Sequence, residues 1–259
     1  MPTLIFPDRP GNWDISDLKY AATSLNWGTY AMRYRVPDDT QFDSPVLYGD
    51  PLFCDIVAVQ LGVRLLDQPH DFLLRLDKRF TKRQITLTTL ARARKELTKP
   101  TFVKSAIDKS ITARVYSSGA DLPDRNVAPD HLPVLLSEPV RWLLEWRLFV
   151  RWGHILAYSL YFREGALDIA RTREEQADML QYAVPLVEEI AELLPDGVVL
   201  DIGIIDGSGW AVVEANPVWG GGIYGCEPQY VLHALKVGTV SSESKSPFLR
   251  PAIRLEEES

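Results

Sequence analysis

The chain has 259 residues, 46% of them hydrophobic and 24% charged, which is enough apolar surface for one substantial core or two modest ones and excludes wholesale disorder. Its 28 lysines and arginines against 35 aspartates and glutamates leave a formal charge of -7, so neither general nucleic-acid binding nor attachment to an anionic membrane is expected. No apolar run approaches the ~18 residues of a membrane span, and MPTLIFPDRPGNWD lacks the basic and apolar regions of a secretory leader. A cytoplasmic protein is therefore expected.

In chain order, TLIF at 3 to 6, a helical stretch from 14 to 25, VLYGD at 46 to 50 and FCDIVAVQLGV at 53 to 63 read as a small α/β unit over residues 1 to 80. The basic stretch DKRFTKRQITLTTLARARKELT follows, predicted helical in its second half, and then the extended runs TFVKS at 101 to 105 and ITARVYSS at 111 to 118. EWRLFVRWGHILAYSLYF, from 145 to 162, has two alternating arms around Trp152 and Gly153 and predicts a hairpin. A helix is predicted from 173 to 194, opened by Thr172 and Glu175 as a capping box and kinked or broken at Pro185. A second hairpin is written in VVLDIGIIDGSGWAVVEAN, turning at Asp206, Gly207, Ser208 and Gly209. The end of the chain, 241 to 259, has little to bury and is expected to be a mobile tail. Cys54 and Cys226 are too few for a disulfide framework or a zinc knuckle, and Cys226 and His154 read as structural.

If a four-residue turn closes the second hairpin, Asp201 stands opposite Glu214, with Asn216 two residues on along the same face. Charges about 5 Å apart repel by on the order of 3 kcal/mol at an effective dielectric of about 20. A raised pKa on one member, or a divalent cation held by two carboxylates and an amide oxygen, would offset that cost; a register shifted by one would remove it. Lys104, in the apolar run PTFVKS, calls for an anion, and Lys109 follows five residues later. Glu145 and Arg147 share one face of the first hairpin, where Arg147 could equally be the ion-pair partner of Glu145. Two lysines and an arginine would balance a triphosphate, and three oxygen ligands would hold its metal. In NPVWGGGIYG, Gly220, Gly221 and Gly222 permit positive φ and close backbone approach, so their amides are candidates to cradle a phosphate or a substrate carboxylate; a simple turn is the alternative.

With these residues in place, the stretch from about Pro100 to Leu235 resembles the ATP-grasp superfamily, and most of all its clade named for one arginine and two lysines. The resemblance implies an α/β (α+β) ATP-grasp fold: a small N-terminal domain, then an ATP-grasp domain over 81 to 240 with nucleotide between its two subdomains. Lys104 matches the strand lysine, and LLSEPV matches the adenine hinge, where Glu138 and Val140 would offer backbone groups. Glu145 would take the ribose hydroxyls. Arg147, Lys104 and Lys109 would be the clade's cations, with Arg147 and Lys109 catalytic, and Asp201, Glu214 and Asn216 would hold Mg²⁺. Gly220, Gly221 and Gly222 would line the substrate. The activity implied is an ATP-dependent ligase, joining a small-molecule or peptide carboxylate to an amine through an acylphosphate with ADP and phosphate released. A phosphotransferase and a catalytically silent nucleotide-binding module are the alternatives. SAIDKS, after the strand lysine, lacks the glycine-rich loop of the D-alanine ligases, and Lys109 would cover the phosphates in its place. There is no Walker motif and no G-x-G-x-x-G.

Overall fold

The fold, taken from a computed structural model, is described for residues 1–9, 13–167 and 173–253. These divide into two compact units rather than at residues 80 and 240: Met1–Gln68 with Leu144–Ile202 and Glu214–Ser259, and Pro69–Leu143 with Gly203–Val213.

The first unit opens with β1 (Pro2–Pro7), α1 (Trp13–Ser24), β2 (Gly28–Met32), β3 (Ser44–Leu47), α2 (Pro51–Gln60) and β4 (Val63–Leu65). Strand β1 lies between β2 and β3 and is parallel to both, the arrangement that helical crossovers produce. Helix α2 starts where it does because Asp50 accepts from the Phe53 amide at 3.0 Å and Pro51 follows in the first turn. It buries Phe53, Cys54, Val57 and Ala58 along one face, beside Leu4, Ile5, Leu18 and Val46. Each large side chain so buried contributes roughly 1.5–3 kcal/mol. Strand β2 escapes the sequence reading because GTYAM is short and only its last residue is buried.

The second unit contains α3 (Phe72–Arg75), α4 (Lys78–Thr81), β5 (Ile85–Thr89), α5 (Leu90–Glu96), β6 (Thr101–Ser105), β7 (Arg114–Tyr116) and β8 (Pro133–Ser137). Its sheet runs β5, β8, β6, β7, antiparallel throughout. Leu90, Leu97, Val103, Tyr116, Leu132 and Val134 form its core. Thr89 caps α5 by accepting from the Arg92 amide, which explains why a β-type run turns abruptly into the predicted helix.

The remaining elements are β9 (Trp142–Arg151), β10 (His154–Arg163), β11 (Ala166–Leu167), α6 (Arg173–Glu189), β12 (Gly197–Ile205), β13 (Gly209–Pro217), α7 (Pro228–Leu235) and β14 (Thr239–Ser241). Their sheet runs β11, β10, β9, β12, β13. The first hairpin forms as expected: Trp152 and Gly153 have φ of 49° and 72°, the double left-handed pair of a two-residue turn that matches strand twist.

Two expectations are corrected and one lies out of reach. Helix α6 is not broken at Pro185; that residue is exposed while Leu186 and Val187 are buried, so packing holds the helix and water can serve the carbonyl that the proline leaves without its amide donor. Nor is the chain after 241 a mobile tail over its described length. Strand β14 pairs with β4, Leu249 bridges Leu66, and Arg250 binds Asp55 at 2.7 and 3.0 Å and Asp67 at 2.6 Å. Two partly sequestered aspartates need a cation, and LRPAIR supplies it. The capping box falls on Thr172, outside the described residues. Among the described residues no helix is long and apolar enough to cross a membrane.

Candidate active site

Strand alternation puts Glu145 and Arg147 on one face of β9, and the neighbouring strands β12 and β13 carry Asp201, Glu214 and Asn216. Asp201 is fully buried and Arg147 is 6% exposed. The guanidinium grips the carboxylate bidentately, Nε to Oδ1 at 2.9 Å and Nη2 to Oδ2 at 2.7 Å, and Nη1 donates to the Gly222 carbonyl at 2.9 Å. Its charge lies 5.2 Å from the Tyr161 ring centre and 4.6 Å from that of Tyr224. Burial alone would lower the Arg147 pKa; the Asp201 charge and hydrogen bonds outweigh it and hold the group firmly protonated. Of the two partners weighed for Arg147, the ion pair is real, but it is made with Asp201 rather than Glu145.

Glu145 Oε2 accepts from the Tyr161 hydroxyl at 2.5 Å. Burial raises its pKa; the Tyr161 hydrogen bond opposes, Asp201 and Glu214 add to the rise, and the carboxyl is pushed up to about 7. Burial and the nearby Asp201 and Glu145 likewise raise the Tyr161 hydroxyl, which stays a donor. Asn216 Nδ2 donates to Glu214 Oε1 at 2.9 Å, turning the amide so that its oxygen is the atom left to a ligand.

These residues fit a divalent cation. Three carboxylates face one guanidinium, and the raised pKa of Glu145 is a direct sign of surplus negative charge. The hard-oxygen donors are Asp201, Glu214 and the Asn216 amide. Among the described residues no three His, Cys, Asp or Glu side chains would ligate an ion by themselves, so the amide and further oxygen donors are needed.

The glycine segment differs from expectation. The amides of Gly220 and Gly221 both donate to the Pro217 carbonyl, at 3.0 and 3.1 Å, and neither they nor Gly222 has positive φ. Close packing is what demands glycine here: a Cβ on Gly221 would lie 2.7 Å from Val199 Cγ2. The left-handed residues are instead Tyr224 and Gly225. Asp14 Oδ2 accepts from the Tyr48 hydroxyl and the Ile223 amide, both at 3.0 Å, anchoring this segment. Cys226 is buried, its thiol directed at the Arg147 carbonyl.

In the second unit Lys104 lies on β6 opposite Leu135 of β8, and Lys109 is exposed in the loop that follows β6. The Glu138 amide donates to Gln84 O at 3.1 Å and its Oε2 accepts from the Gln84 amide, so the hinge is tied to the edge of β5 and only the Glu138 carbonyl remains to face a base. A cleft of about 570 Å³ is lined by Thr86, Thr88, Leu97, Thr101 and Glu138, without Lys104 or Lys109 in its walls. The tip of the β12–β13 hairpin is held here by Arg83, which donates to the carbonyls of Val212 and Val213 just before Glu214.

Sequence reasoning missed Tyr161, Tyr224 and Arg83. A signal existed for the first: Arg147 pairs with Ser159, and continuing by two places Tyr161 across from Glu145, although a bulge shifts the actual partner to Phe162.

Residues 80–234 match a family model described as an ATP-grasp domain, family 2 of its clade. No curated protein matches the chain. Solved structures with a similar fold include D-cycloserine synthetase DcsG (14% identity, 91% of this chain and 99% of that one, TM-score 0.57). Another is N5-carboxyaminoimidazole synthase from Aspergillus clavatus in complex with ADP and 5-aminoimidazole ribonucleotide (12%, 91% and 76%, 0.58). A third is D-alanine–D-alanine ligase from Bacillus anthracis, complexed with ATP (11%, 92% and 96%, 0.51). The fold is thus that of ATP-grasp ligases. With three-fifths of its length under the family model, this chain belongs to the ATP-grasp domain family, in family 2 of that clade.

Proposed function

We propose that the protein is a cytoplasmic ATP-dependent ligase that joins a carboxylate to an amine through an acylphosphate and releases ADP and phosphate. The observation that carries this reading is the buried Arg147–Asp201 pair with Glu145, Glu214 and Asn216 on three adjacent strands. It is a negatively charged group built to receive a cation, in a chain of the ATP-grasp family. The family likeness to enzymes named as ligases and synthetases supports the reaction class.

Asp201, Glu214 and Asn216 hold magnesium, which supplies charge neutralisation on the transferring phosphoryl group. Lys104 and Lys109 bind phosphate oxygens, and Glu138 and Val140 present backbone groups to adenine. Glu145, steadied by Tyr161, takes the ribose hydroxyls. Arg147 stands as the clade's arginine; its three bonded nitrogens make it the group that keeps Asp201 ionised and fixes Gly222, through which it acts on nucleotide and on a substrate lodged near Gly220, Gly221 and Gly222. The test is phosphate release from ATP and Mg²⁺ across panels of amino acids and short peptides. Release that needs both a carboxylate and an amine is expected. Release with the carboxylate alone would make the protein a phosphotransferase, and ATP binding without release under any pairing would make it a silent module.

A further inference from the structure

The loop 105–110 takes the place of a glycine-rich phosphate loop but is built differently. Asp108 Oδ1 accepts from Ser105 Oγ at 2.6 Å, from the Ser110 amide at 2.9 Å and from Ser110 Oγ at 2.5 Å. Ser105 Oγ in turn accepts from the amides of Ile107 at 3.3 Å and Asp108 at 3.2 Å, and the Ala106 amide donates to Pro133 O at 2.9 Å. The amides of residues 106, 107, 108 and 110 are therefore all bonded within the protein. A glycine-rich loop binds phosphate with such amides; this one has consumed four of the five that it could offer. What it presents outward is the side chain of Lys109, which is exposed beside the inward-turned carboxylate.

We propose that Asp108 is the positioning residue of a side-chain phosphate loop, in which the Lys109 ammonium replaces backbone amides as the contact to the nucleotide. The proposal rests on the ATP reading above. Asp108 does not itself touch phosphate; it ties both ends of the loop to one oxygen atom, so that Lys109 meets its anion with less freedom to lose. Partial burial works to raise the Asp108 pKa, and the hydrogen bonds from Ser105 and Ser110 outweigh it and hold the carboxyl below its ordinary value, so the tie persists across neutral pH.

The test is a double-mutant cycle read by calorimetric affinity for ATP and for adenosine, with melting temperatures recorded alongside. Asp108→Ala and Lys109→Ala are each expected to weaken ATP about tenfold and leave adenosine unchanged, and the double mutant to lose about tenfold rather than a hundredfold, because Asp108 acts through Lys109. Asp108→Asn, whose amide oxygen accepts the same donors, should stay within about threefold of the parent. Ser105→Ala with Ser110→Ala keeps the charge but cuts the tie and should behave like Asp108→Ala. Full additivity, equal losses for ATP and adenosine, or an unchanged ATP affinity in Asp108→Ala each overturns the proposal alone. A parent chain that takes up no ATP overturns the nucleotide reading, and this proposal with it.

Discussion

In the first unit Asp201 is fully buried against a guanidinium bonded through three nitrogens and flanked by two tyrosine rings; in the second, Lys109 is exposed on a loop tied by a single aspartate. The contrast follows from desolvation. A charge out of water at all times needs a permanent partner in near-ideal geometry, whereas one that waits for a ligand stays hydrated and needs only to be aimed. Stability and ligand binding should accordingly separate, with the buried cluster dominating the first and the loop visible almost only in the second.

The largest effect should come from Asp201→Ala, which leaves Arg147 buried without its counter-ion and is expected to cost about 3–5 kcal/mol in urea unfolding. Arg147→Met with Asp201→Leu should recover much of that loss, since the cost lies in the orphaned charge. Next, Arg250→Met strands Asp55 and Asp67; with the guanidinium 21% exposed, a loss of about 2 kcal/mol is expected, shrinking at acid pH as the carboxylates protonate. A smaller effect concerns pH. Glu145 is pushed up to about 7 from an ordinary 4.5, so between those values the folded chain keeps a proton that the unfolded chain has released. Its contribution must fall as pH rises through that window, and Glu145→Gln should flatten the dependence of melting temperature on pH there. At the bottom of the scale, Lys109→Ala should shift unfolding by no more than about 0.5 kcal/mol. A loss comparable to that of Asp201→Ala would erase the distinction between the two regions.

Much of the fold was legible because the relevant signals are local. Both hairpins, helix α6 and the parallel start could be read from alternation, turn residues and helical spacing, and Asp201, Glu214 and Asn216 do come together on adjacent strands. What escaped depends on partners distant in sequence. The docking of Arg250 on Asp55, 195 residues away, has no local trace, and neither does the grip of Arg83 on Val212 and Val213. The repulsion argument was sound in asking what offsets paired acids, yet much of the answer is Arg147, a residue whose own sequence neighbours suggested Glu145 as its partner. The triple glycine misled because glycine is required equally by positive φ and by tight contact, and only packing against Val199 tells which applies.

The most direct test of the central claim is ATP affinity measured with and without Mg²⁺ in the parent and in Glu214→Ala, a variant that leaves the Arg147–Asp201 pair intact. The expected result is a strong Mg²⁺ enhancement in the parent that is largely lost in the variant, with the melting temperature of the free protein little changed. An ATP affinity indifferent to Mg²⁺ in the parent, or an enhancement of equal size in Glu214→Ala, would contradict the assignment of this cluster as the metal site of an ATP-dependent ligase.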